Sequence, residues 1–111
     1  MTTYKPGDIV LVDFPFVSGS ETRRRPALVL LDAADADVLV ARVTSQSRQD
    51  VFDVKMTDWR GAGLLLPSIV RLRKLATLEK TLIVRTLGNL QSVDREPIAG
   101  ILGKIVAGWK D

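Results

Sequence analysis

The sequence predicts a mainly β fold, a small barrel or sandwich of short strands, completed by one C-terminal helix. Two patterns carry that reading. From Asp8 to Leu87, short apolar or alternating runs are cut by turn residues at close intervals, as in barrels and sandwiches rather than parallel α/β sheets. After Asp94 the apolar period changes. Ile98, Ile101, Leu102, Ile105, Val106 and Trp109 then follow helical spacing and form one stripe that needs a core to pack against.

The first strand runs from Asp8 to Phe16, opened by the turn pair Pro6-Gly7. Val10, Val12, Phe14 and Phe16 alternate with Ile9, Leu11, Asp13 and Pro15, which leaves one face wholly apolar. Pro15 has no N–H to give to a ladder, so the strand ends at a sheet edge or bulge. A polar loop, Ser18 to Thr22, leads through Arg23, Arg24 and Arg25 into a second strand, Pro26 to Leu31. Every position there is apolar, the mark of a strand buried on both sides. Small and acidic residues from Asp32 to Asp37 make a turn before a third strand, Val38 to Ser45. A fourth strand, Phe52 to Met56, should turn Phe52, Val54 and Met56 inward and Asp53 and Lys55 outward.

The stretch Asp58 to Gly63 reads as a loop, Ser68 to Leu78 as a fifth strand, and Thr81 to Leu87 as a sixth that ends at Gly88-Asn89. In the helix, Asp94 is the expected cap, and Glu96 and Pro97 suit a first turn. Gly100, Gly103 and Gly108 each weaken it by about 1 kcal/mol relative to alanine. Such a helix depends on packing, and Trp109 is expected in the core.

A chain of 111 residues, 46% apolar and 26% charged, has the size and composition of a single soluble domain spanning 1–111. Its net charge of +3 is a weak pointer to an anionic partner. The absences exclude more. Without cysteine there is no disulfide, thiolate nucleophile or zinc-thiolate site. Without histidine there is no imidazole ligand and no side chain whose ordinary titration lies near neutrality. Catalysis therefore falls to carboxylates, hydroxyls, lysine or arginine. The carboxylates have no magnesium- or calcium-binding spacing, so no metal or other cofactor is expected. No signal-like apolar core opens the chain and no apolar stretch could span a membrane, so a cytoplasmic protein is expected.

Three places hold polar residues that the fold does not require. Glu21-Thr22-Arg23-Arg24-Arg25-Pro26 reads most simply as a solvated flank. Pro26, however, holds Arg25 extended at the mouth of a strand, where its guanidinium offers a planar fork of donors suited to phosphate. Arg42-Val43-Thr44-Ser45-Gln46 closes the third strand; its hydroxyls suit turn chemistry, or a phosphate or ribose hydroxyl. Arg71 and Arg73 share one face of the fifth strand, either a solvated exterior or a stripe facing nucleic acid. Trp59, beside Arg60, is read as packing over the end of the barrel, with base stacking as the alternative.

Gly7-Asp8-Ile9-Val10-Leu11-Val12-Asp13-Phe14, followed after a loop by Arg25-Pro26-Ala27-Leu28-Val29-Leu30, resembles the PemK/MazF family of toxins from toxin–antitoxin pairs. Val43-Thr44-Ser45-Gln46 resembles that family's second signature. The resemblance implies a small SH3-like barrel with a C-terminal helix. It also implies a homodimer that cleaves single-stranded RNA without metal, and a cognate antitoxin whose flexible, acidic segment blocks the RNA groove. By position, Arg25 matches the catalytic arginine and Thr44 the catalytic hydroxyl, with Glu21 the candidate base and Asp13 the reserve. Arg23, Arg24, Ser45, Gln46, Arg71 and Arg73 are the expected RNA contacts. One departure stands out: Arg71-Leu72-Arg73-Lys74 is basic where many members carry acid. The alternatives are a toxin of CcdB type that blocks gyrase by protein contact, or a family member without catalysis. A plain SH3-like adaptor is less favoured, because its groove would want more exposed aromatics.

Overall fold

The six strands pair antiparallel throughout in the order β4-β5-β3-β2-β1-β6, a curled, barrel-like sheet whose described pairings leave β4 and β6 at its ends. The computed structural model describes residues 2–14, 24–46 and 50–111. The strands are β1 (Asp8–Asp13), β2 (Arg24–Leu31), β3 (Asp37–Thr44), β4 (Asp53–Lys55), β5 (Ile69–Glu79) and β6 (Ile83–Asn89), followed by helix α1 (Ser92–Ala107). The mainly β architecture with a C-terminal helix is the one expected.

Both faces of the sheet are covered at the middle of β1 and β2, which is why these strands read as almost continuous apolar runs. Ile9, Leu28, Ala41, Val43, Val70 and Leu72 belong to one core cluster, capped by Ile98, Ile101 and Leu102 of α1. Val10, Val12, Ala27, Val29, Val38 and Val40 belong to a second, with Tyr4 and Phe14 packed against it. Adjacent residues of one strand thus enter different clusters, as the pleat requires.

Several boundaries differ from the sequence reading, each for a local reason. β1 ends at Asp13, and the expected Pro15 and Phe16 lie outside the described residues. β2 starts earlier, at Arg24, because Asp13 and Val12 pair with Arg24 and Arg25. A 3-10 turn, Lys80–Leu82, takes the first residues expected of β6. Asp53 does not face outward: its side chain is fully buried because Arg71 stands directly opposite on β5 and donates Nε to Oδ1 at 3.3 Å. An ion pair across the two strands overrides the polar-out alternation.

The helix holds the largest corrections. It begins at Ser92 with Gln91 as cap, and Asp94 lies within its first turn rather than before it. Pro97 sits inside the helix, where it removes one backbone hydrogen bond. The stripe is buried only at its start, with Ile98 4% exposed, while Val106 is 57% and Trp109 89% exposed. A helix of this length is roughly 24 Å long and runs beyond the cluster it covers. Trp109→Ala is therefore expected to change stability by less than about 0.5 kcal/mol. Urea unfolding of the variant checks this, and a loss above about 2 kcal/mol would restore the core placement.

One buried carboxylate staples the start of the chain. Asp32 accepts from the backbone N–H of Tyr4 at 2.7 Å and of Ala34 at 2.8 Å, and faces Lys80 Nζ at 2.9 Å. The Tyr4 N–H, then Lys80, hold its carboxyl below the ordinary 3.8. A depressed folded-state pKa gives stability that is complete above the unfolded value and is lost as pH falls through the folded one. Unfolding midpoints measured from pH 5 down to pH 2 should fall more steeply for the wild type than for Asp32→Asn, with the difference confined to the acid side.

Candidate functional site

β2 begins and β3 ends at the same end of the sheet. Their register pairs Leu28 with Ala41 and Ala27 with Arg42. Continued by two residues, it sets Arg25 opposite Thr44. Alternation then gives Arg25 the face of Ala27 and Val29, and Thr44 the same face from the neighbouring strand. Arg24, one residue earlier, takes the opposite face with Pro26 and Leu28.

A cleft of about 520 Å³ opens at this sheet end, and Arg24, Arg25, Thr44, Ser45 and Gln46 all line it. Thr44 is half-buried, and its Oγ1 accepts from Gln46 N–H at 3.2 Å, which fixes the hydroxyl while leaving its own proton to donate. Arg25 is exposed; its Nη1 donates to the Arg24 carbonyl at 3.3 Å, its one side-chain hydrogen bond among the described residues. Leu11, Val43, Leu64 and Leu87 give the cleft an apolar lining, which lowers the local dielectric around its charges.

The far wall is the segment Gly63 to Leu66, with Leu65 92% exposed at its rim. Backbone packs on backbone here. Gly63, at φ +93°, lies where a Cβ would strike the Leu87 carbonyl, and a Cβ on Gly88 would strike that of Ala62. Trp59 packs on the first core cluster, as expected, with the Arg60 guanidinium 4.8 Å from its ring centre.

Not every candidate residue converges here. Arg71 and Arg73 lie outside the cleft lining. Arg71 meets Asp53 at 3.3 Å and Asp50 at 3.7 Å, and Arg73 meets Asp50 at 3.5 Å. The basic stripe read from the fifth strand is thus neutralised where it stands by two carboxylates, one of them buried. Asp13 is paired in register with Arg24 and is likewise absent from the cleft lining. Glu21 and Arg23 lie outside the described residues.

One functional candidate escaped the sequence reading. Arg85 of β6 lines the cleft, set opposite Leu11 of β1. Simple alternation puts Arg85 in phase with Ile83, which packs on the second cluster. A register shift between Leu11 and Val12 breaks that phase, and no sequence signal announces such a bulge.

Fold and site together define a small barrel-like β protein with a cationic, hydroxyl-bearing cleft at one sheet end. The chain belongs to the family of PemK-like, MazF-like toxins of type II toxin–antitoxin systems, whose profile matches residues 5–106.

Solved structures agree on the fold. An endoribonuclease in complex with its cognate antitoxin, from a mycobacterial species, is 21% identical with a TM-score of 0.71, covering 91% of this chain and 92% of that one. MazE–MazF from Deinococcus radiodurans is 22% identical with a TM-score of 0.72, covering 96% of this chain and 97% of that one. The Mycobacterium tuberculosis toxin MazF-mt6 is 22% identical with a TM-score of 0.71, covering 87% and 93%. No curated protein matches the chain.

Proposed function

We propose that this protein is the toxin of a toxin–antitoxin pair and acts as an endoribonuclease on single-stranded RNA. The observation that carries the reading is Arg25 set level with Thr44, on neighbouring strands, in one cleft. In the proposed reaction the 2′-oxygen attacks the adjacent phosphorus and the bond from phosphorus to the 5′-oxygen breaks. The products are a 2′,3′-cyclic phosphate and a 5′-hydroxyl. The 2′-hydroxyl proton goes to a base, and the leaving 5′-oxygen takes up a proton.

Charge builds on the phosphoryl oxygens in the transition state, and a fixed guanidinium placed beside them contributes about 3 kcal/mol per donor. Arg25 has that role. It stays protonated at neutral pH, which makes electrostatic stabilisation its first task and proton donation a secondary one. Thr44 orients the 2′-hydroxyl or binds a phosphoryl oxygen. Glu21 is the proposed base and Asp13 the reserve. Ser45, Gln46 and Arg24 hold the strand beside the scissile bond, with Arg23 adjoining them. None of these steps calls on a metal ion.

The cognate antitoxin, through a flexible acidic segment, is proposed to occupy the same cleft, where carboxylates would replace phosphates against the arginines. A homodimer acting in the cytoplasm completes the reading. No helix among the described residues is long and apolar enough to cross a membrane.

The test is incubation of the purified, antitoxin-free protein with a long unstructured RNA in EDTA, followed by mapping of the product ends. Discrete fragments with cyclic-phosphate ends support the proposal. A folded protein that leaves RNAs of varied sequence uncut would overturn it and direct the next assay to gyrase.

A further inference from the structure

The cleft carries more positive charge than one scissile phosphate needs. Arg24, Arg25 and Arg85 all line it, and among the described residues none of the three makes a salt bridge. Arg71 and Arg73, a few residues along the sheet, both do. Among the described residues no carboxylate lines the cleft, and Asp13, opposite Arg24 in register, makes no salt bridge with it.

The register divides the three cleft arginines into two groups. Pro26 pairs with Leu11 on β1, and Leu11 pairs with Arg85 on β6, so the three form one row across the sheet. Side chains in such a row share a face. Arg24, two residues from Pro26 on β2, shares that face too. Arg25 and Thr44 take the other. Arg24 and Arg85 therefore approach the cleft from one face of the sheet, and Arg25 and Thr44 from the other.

We propose that Arg85, together with Arg24, forms a second phosphate site that holds a neighbouring phosphate of the RNA while Arg25 and Thr44 act on the scissile one. The inference rests on the ribonuclease reading for the identity of its ligand. Its chemistry is that of a phosphodiester backbone: a planar guanidinium reads phosphate without reading base sequence. Arg85 is thus a binding residue for substrate, and its loss appears in affinity rather than in the chemical step.

The experiment is binding of a fluorescein-labelled, fully 2′-O-methylated unstructured RNA by the intact protein. It is measured across salt concentrations for wild type, Arg85→Ala and Arg85→Lys, beside cleavage of the all-ribose RNA. Arg85→Ala should weaken binding about tenfold at low salt, reduce the salt slope by roughly one, and raise KM with kcat nearly unchanged. Arg85→Lys should restore the slope, because it restores the charge. An unchanged Kd and slope for Arg85→Ala would remove the second site while wild-type cleavage kept the ribonuclease reading intact. A lowered kcat at constant KM would also overturn the proposal, by assigning Arg85 to the chemistry. Wild-type binding that depends on Arg85 without any cleavage would preserve the anion site and discard the ribonuclease. Failure of the wild type to bind RNA at all would discard both.

Discussion

Arg25→Ala is expected to lower RNA cleavage by at least about 10²-fold, the loss typical of one donor aimed at developing transition-state charge. The protein should remain folded, because Arg25 is exposed and its only described side-chain bond runs to the carbonyl of the residue before it. Its backbone pairing with Val12 does not need the guanidinium. Arg25→Lys separates charge from shape. A lysine keeps the charge but presents a point donor in place of the planar fork, and should recover only part of the lost activity. The measurement is single-turnover cleavage in EDTA at saturating protein, with the circular dichroism melt as control. Near-native turnover by a folded Arg25→Ala would remove this residue from the chemistry and leave the cleft a binding surface.

The sequence and the structure agree where local chemistry decides the outcome. Val10, Val12, Ala27 and Val29 sit in the core because alternating apolar residues in paired strands leave no other arrangement. The positions of Arg25 and Thr44 in the fold were legible for a similar reason: one lies at the start of a strand, the other closes a strand before a turn. What was not legible depended on residues distant in sequence. Asp53 looks like a solvated residue of a short strand until Arg71 is placed opposite it. The same pair engages Arg71, expected from sequence as an RNA contact, in an ion pair outside the cleft lining. Arg85 enters the cleft only through a bulge in β1–β6 pairing, and a bulge is invisible to a period of two. Trp109 continues a valid helical stripe past the end of the surface that would bury it. A period gives direction but not reach.

Asp94→Ala should destabilise the protein by about 2–4 kcal/mol. Asp94 looks from sequence like a cap for its own helix. The structure buries it, 1% exposed, and aims its carboxylate away from the helix: Oδ1 accepts from Thr57 N–H at 2.7 Å and Oδ2 from Asp58 N–H at 2.9 Å. The first turn of α1 favours the negative charge, and two backbone donors of a distant loop complete its shell. Alanine leaves both donors without their acceptor. Asn has one carbonyl oxygen for two N–H groups and turns an NH₂ toward the second, so Asp94→Asn should recover less than half of the loss.

The consequence reaches the cleft. Asp58 Oδ1 accepts from Gly61 N–H and the Asp58 carbonyl from Ala62 N–H, and that turn delivers Gly63 onto the backbone of β6 and Leu64 to Leu66 into the cleft wall. A helix carboxylate therefore sets the shape of a site to which it contributes no atom. Hydrogen exchange of Asp94→Ala should accelerate first at Thr57, Asp58 and Gly61 to Leu64, while amides of β1 and β2 follow only the global loss of stability. Uniform acceleration across the sheet, with no excess in the loop, would make Asp94 a contributor to overall stability alone and leave the cleft wall held by other contacts.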